Sequence, residues 1–267
     1  MIFKILCLCA GSVGYVASNF QPRTSTTKSK QVDKAKDEGL LIRIVIHVLS
    51  IMATVHALGT VVYILLMIYT NGHSGKNPSL SITGNKDVDV ALWQLIELET
   101  WQVVMTIVSV LSSLFRLWSF VTLDRFFTYA LFIHKDHKLV STGPYKYLRH
   151  PSYLGLVTTI SVSYLLMLHQ GLWPVFTSWF AASFQNYIVP CAPSAFPLLL
   201  SILRRIPFWA QIAGPNGGAW VTLPIAVIWS YLINGRMTRE EVMMREHFGQ
   251  EWDLYASKRW KVIPLVY

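Results

Sequence analysis

The sequence predicts an all-α, multi-pass helical bundle in a membrane, with a C-terminal cytosolic helix covering a polar site at the membrane edge. Charged residues make up only 14% of the chain and hydrophobic ones 53%, with a mean hydropathy of +0.41. Soluble domains carry roughly 25% charge. The apolar residues come in blocks, and a block of roughly 20 suffices to cross a bilayer. Two polar clusters stand where such blocks meet water, over residues 137–153 and 236–241. Membrane packing alone requires neither.

About six spans are expected, at 1–20, 41–70, 101–122, 152–170, 172–189 and 217–234. The first is short, with Lys4 ahead and small residues behind, a pattern shared with signal-peptide cores. No cleavage site follows it, so it is read as a retained span. The polar Ser/Thr/Lys stretch 21–40 reads as a linker. The block at 41–70 is longer than one crossing needs and should tilt or project. Residues 71–100 read as an external loop, rich in Gly, Asn, Ser and Pro at its start. Within 101–122, Arg116 has two readings. It snorkels to the headgroups, or it faces a polar cavity; at mid-bilayer it costs roughly 2.5–3.5 kcal/mol on insertion scales. Pro190, Pro193, Pro197, Pro207 and Pro215 interrupt the stretch 190–216, and Arg204 and Arg205 lie inside it, so its span count stays open.

The formal charge is +9, and its distribution sets the orientation. Lys and Arg gather at 23–43, 125–149 and 236–261, whereas 71–100 carries Asp87, Asp89, Glu97 and Glu99. The positive-inside rule puts the basic regions in the cytosol and 71–100 outside. Both polar clusters then share the cytosolic face. Basic residues beside spans answer to orientation and anionic membrane lipids, so nucleic acid is not an expected partner. Cys7, Cys9 and Cys191 lack any metal-ligand spacing and read as packing residues.

The first cluster is built from local rules. Thr142-Gly143-Pro144-Tyr145 is a turn. Pro disfavours helix at the residue before it and suits the first helical position, so a helix should open at Pro151. Its free N–H groups and positive dipole end make an anion site, ringed by Arg149, His150, Ser152 and Tyr153. The plain alternative is a helix cap with headgroup-binding side chains. In the second cluster Gly235 is expected to end the last span. Thr238 and Glu241 then fit a capping box, a structural account of Glu241 that leaves Arg236 and Glu240 as the functional pair. The helix should stop at Gly249. Trp252, Tyr255 and Trp260 are expected to pack back on the site as a structural tail.

The string His137-x-Leu139-Val140, Gly143-x-Tyr145, Arg149-His150-Pro151-Ser152-Tyr153-x-Gly155, followed by Arg236-x-x-x-Glu240-Glu241 before Phe248-Gly249, resembles the isoprenylcysteine carboxyl methyltransferase family. The likeness covers roughly 115–170 and 217–264. It implies a catalytic region over 101–267, preceded by spans and linker over 1–100. It implies S-adenosylmethionine as methyl donor, held by His137, Lys138, Leu139, Val140, Tyr145, His150, Pro151, Ser152, Tyr153 and Glu240, with Glu241 assisting. Arg236 would take the substrate carboxylate; Arg236 and Glu240 are the expected catalytic residues. The implied partners are prenylated CaaX-type proteins after proteolysis, or small prenylcysteines, at the endoplasmic reticulum membrane. Asp124 and Ala130 depart from the family pattern; many relatives have Gly at the position of Asp124. A methyltransferase for another lipid or isoprenoid acceptor and a non-catalytic membrane scaffold remain alternatives. A nicotinamide-dependent reductase is disfavoured by the Arg-x-x-x-Glu-Glu element.

Overall fold

The computed structural model describes residues 1–19, 36–74, 81–127, 137–183, 186, 212 and 216–264. The expected linker at 21–40, apart from its helical end, the Pro-interrupted stretch 190–216 except 212 and 216, and Cys191 and Ala130 lie outside them. The described residues form helices α1 (Ile2–Asn19), α2 (Lys36–Ser74), α3 (Lys86–Ile96), α4 (Thr100–Leu123), α5 (Pro151–Met167), α6 (Trp173–Ser183), α7 (Gly217–Phe248) and α8 (Gln250–Ser257). Short 3₁₀ turns occupy Asp124–Phe126 and Gly143–Lys146. Among these residues there is no strand beyond a single bridge, Leu148 to Trp260.

The protein is a multi-pass helical membrane protein. Five described stretches are long and apolar enough to cross a bilayer: 2–19, 47–73, 100–123, 151–183 and 217–248. The expected spans at 152–170 and 172–189 come as one stretch, broken where His169, Gln170 and Gly171 leave helical geometry. On α2, Ile51, Val55, Leu58, Val62 and Leu65 recur every three or four residues and are all exposed, an apolar face suited to lipid. At 39 residues α2 is about 58 Å long, well beyond the roughly 30 Å hydrocarbon core.

The chain divides into two compact units, each drawing on both sides of residue 100. The first comprises 1–12, 56–107 and 161–226. Its core is Tyr63, Met67, Val88, Leu92 and Leu95, with Ile5, Leu8, Leu172 and Val175 against it. Here the expected external loop contains a helix, α3. Val88, Ala91, Leu92 and Leu95 repeat at helical spacing, a period hidden by the polar residues around it. Asn85 caps α3 by accepting from the Asp87 and Val88 amides. Lys4 is buried and donates to the Gln94 and Glu97 carbonyls at the far end of α3.

The second unit comprises 13–55, 108–160 and 227–267. Tyr15 of α1 and Phe120 of α4 are fully buried in it. Small residues bring its helices close: Gly14 lies against Ser113, and Gly155 against the Ser112 carbonyl and the Arg116 backbone. Ser113 and Thr159 hydroxyls meet at 3.4 Å.

Candidate active site

The site lies wholly in the second unit. It begins with the non-helical segment 137–140 and the turn at Gly143, whose φ of +54° suits glycine. The Tyr145 amide donates to the Thr142 carbonyl at 3.1 Å. As expected, α5 opens at Pro151. The C-terminal tail then clamps this segment. The amides of Arg149 and His150 donate to the carbonyls of Trp260 (2.9 Å) and Lys261 (3.0 Å), and the Trp260 amide donates to Tyr147 (3.1 Å). From α8 the Tyr255 hydroxyl donates to the Val140 carbonyl at 3.1 Å. Arg259 donates to the Tyr145 carbonyl at 2.8 Å and stacks over the Tyr255 ring. The expected packing of the aromatic tail is therefore observed.

Helix α7 supplies the opposite wall. Gly235 does not end it, and Thr238 does not cap a new helix. One helix runs from Gly217 to Phe248, and the Thr238 hydroxyl donates back to the Asn234 carbonyl at 3.0 Å. The capping-box reading of Glu241 therefore fails. A lone glycine costs a helix only about 1 kcal/mol, and the tertiary ion pairs of Glu241 with Arg149 and His150 hold the continuation. Continuity places Trp229, Ile233, Arg236, Glu240 and Met243 on one face, at steps of three and four. Gly249 ends the helix with φ +54°, as expected.

The two acidic neighbours do different work. Glu241 binds the Arg149 guanidinium at 2.9 Å and His150 Nε2 at 3.1 Å, with Lys261 Nζ at 3.9 Å. It fixes the start of α5 and the tail to α7. Glu240 faces the cavity; its Oε2 is buried without a hydrogen-bond partner, 3.6 Å from His150 Nδ1. Arg236 Nε donates to the Tyr153 hydroxyl at 2.6 Å. That hydroxyl also hydrogen-bonds Glu240, so Tyr153 bridges the pair.

The cavity between these walls measures about 140 Å³. A second cavity, beside His56, measures about 10 Å³, space for one water at most. The larger is lined by His137, Lys138, Leu139, Val140 and Tyr145 from the non-helical segment and turn. His150, Ser152 and Tyr153 at the start of α5, and Arg236 and Glu240 of α7, complete the residues expected from the sequence. Pro151 is not in the wall; it is fully buried as the first residue of α5. The sequence reading did not single out Phe126, Phe127, Leu156 or Met243 as site residues, although helical spacing from Arg236 points to Met243. Arg116 also lines the cavity and is 2% exposed, which decides against snorkelling.

Burial, with the negative charge of Glu240 adding to it, raises the Tyr145 hydroxyl well above its ordinary range. It stays protonated and hydrogen-bonds the Ser152 side chain. Burial pushes Tyr255 up to about 12, against the opposing charges of Arg259 and Arg149. Both are neutral donors at physiological pH. Asp124 has φ +45°, a conformation glycine adopts freely and aspartate tolerates.

Residues 104–192 match the model of the Isoprenylcysteine carboxyl methyltransferase (ICMT) family. The match starts in α4 and contains the whole 137–153 string; the Arg236–Glu241 element lies beyond it. Comparison with curated proteins and with solved structures gave no match. The likeness read from the first polar cluster is thereby borne out: over residues 104–192 the chain matches the isoprenylcysteine carboxyl methyltransferase family, and the activity this supports is methyl transfer by a membrane protein.

Proposed function

We propose that the protein transfers a methyl group from S-adenosylmethionine to the C-terminal carboxylate of a prenylated cysteine, at the cytosolic face of the endoplasmic reticulum membrane. The observation that carries this reading is the single cavity onto which Arg236, Glu240 and the start of α5 converge. The donor set suits the methyl donor. The buried Glu240 Oε2, which has no hydrogen bond within the protein, would accept from amino or ribose hydroxyl groups. His150, Ser152 and the α5 N-terminus suit a carboxylate. Phe126, Phe127 and Trp252 offer flat apolar surface to a base.

When bound, S-adenosylmethionine supplies an electrophilic methyl on a sulfonium. A C-terminal carboxyl has a pKa of roughly 3.5 and is already ionised. Transfer of that methyl would form an O–CH₃ bond at the carboxylate and break the S–CH₃ bond, so that one negative and one positive charge would be lost together and no proton would move. The site therefore needs no general base, and catalysis is positioning and electrostatics. Arg236 holds the carboxylate, and Tyr153 keeps the guanidinium aimed. An amine acceptor would have to lose a proton and would gain nothing from an arginine beside it. Prenylated CaaX-type proteins after proteolysis, or small prenylcysteines, supply such a carboxylate from the membrane side. The test is methyl transfer from labelled S-adenosylmethionine to N-acetyl farnesylcysteine by purified protein in detergent or lipid. Base-labile methyl ester is expected; cofactor binding without ester formation would move the acceptor elsewhere.

A further inference from the structure

We infer that Arg116 is a positioning residue of the cofactor pocket, tying the last turn of α1 and the first turn of α5 to one buried guanidinium. The inference rests on the methyltransferase reading. Arg116 sits in α4 with 2% of its surface exposed, in a segment where a cation is costly. Its Nε donates to the Ser18 carbonyl at 2.8 Å and its Nη1 to the Ser152 carbonyl at 2.7 Å. Both bonds are short and charge-assisted. Ser18 lies in the last turn of α1, where carbonyls lack helical partners. Arg116 supplies that missing donor.

Ser152 lies at the heart of the site. Its side chain meets the Tyr145 hydroxyl, and the next residue, Tyr153, touches both Arg236 and Glu240. A guanidinium fixed on the Ser152 carbonyl therefore sets where α5 begins. The Phe120 ring lies under the guanidinium, 4.6 Å from its carbon. The stem is held too: a Cβ at Gly155 would lie 2.8 Å from the Arg116 Cβ and 2.9 Å from the Ser112 carbonyl. Arg116 is thus held at its stem, its ring contact and two of its N–H groups, and those two donors leave at angles that a lysine ammonium does not reproduce. The first helix, outside the region of family likeness, becomes part of the pocket's support.

The test is the dissociation constant of S-adenosylhomocysteine, measured by calorimetry on folded, monodisperse protein, with steady-state kinetics alongside. Arg116→Met is expected to weaken binding roughly tenfold or more, the loss of a charge-assisted hydrogen bond. The KM for S-adenosylmethionine should rise in step, and the KM for N-acetyl farnesylcysteine should not change. Arg116→Lys should fall between Arg116→Met and wild type. Arg116→Gln keeps a side-chain donor without the charge or the fork and should weaken binding less than Arg116→Met, which keeps the test open if Arg116→Met does not fold. Unchanged affinity in the folded variants overturns the inference, as does a fall in kcat alone. If wild type itself binds no S-adenosylhomocysteine, the methyltransferase reading fails and this one with it. If wild type binds and the variants bind as tightly, only this inference fails.

Discussion

Tyr153 joins the two side chains on which the proposed chemistry depends, accepting from Arg236 and bonding Glu240. Arg236 is a contact for charge that changes in the reaction, so its loss should appear in turnover. Arg236→Ala is expected to lower kcat at least a hundredfold, the scale seen when a transition-state donor is removed. Calorimetric affinity for S-adenosylhomocysteine should stay near wild type; lost cofactor binding with normal turnover would contradict the role. Asp124 makes a second residue-scale argument. Its positive φ tolerates Asp and suits Gly but penalises Ala. Thermal denaturation should therefore find Asp124→Gly near wild type and Asp124→Ala less stable by about 1 kcal/mol.

Among the elements, α7 has the most consequence. As one helix it carries Arg236 and Glu240 on a shared face, and it turns Glu241 toward Arg149, His150 and Lys261. Thr238 is then a mid-helix residue whose hydroxyl bonds a carbonyl one turn back. Loss of an N-cap costs about 1 kcal/mol, whereas a mid-helix Thr gives way to a better helix former. Thr238→Ala should therefore leave stability within about 0.5 kcal/mol of wild type, or raise it slightly. A clear loss in denaturation midpoint would restore the cap.

For the whole molecule, stability against acid has an identifiable contributor outside the spans. Burial alone would raise the Asp89 carboxyl, but bonds from the Thr83 and Ser81 hydroxyls and the Thr83 and Ile82 amides outweigh it and hold it below its ordinary value. A folded pKa below the unfolded one adds stability that is fully present above the unfolded value, roughly 3.9. That stability disappears as pH falls through the folded value. Asp89→Asn is expected to lower the neutral-pH stability by about 1–3 kcal/mol. The gap between variant and wild-type melting midpoints should narrow as pH drops below 4, roughly the unfolded carboxyl range; a constant gap would exclude the charge as its cause.

Much of this protein is legible in local sequence because the physics is local. Apolar block length fixes membrane helices, Pro151 fixes a helix start, and Gly143 and Gly249 mark turns, since each acts within a few residues. The cluster 137–153 follows from those rules, and of the cofactor residues expected within it the structure places all but Pro151 on the cavity wall. Tertiary structure decides the rest. Gly235 and Thr238 carry the local marks of a helix end and a helix start, yet the contacts of Glu241 with Arg149, His150 and Lys261 hold the next turns in place, and the helix continues. The split between Glu240 and Glu241 depends on which neighbours a continuous α7 brings to each, which adjacent positions in a sequence do not encode. Arg116 reads as costly from sequence alone; the fold brings it the Ser18 and Ser152 carbonyls, 98 and 36 positions away, and these bonds help to make its burial stable.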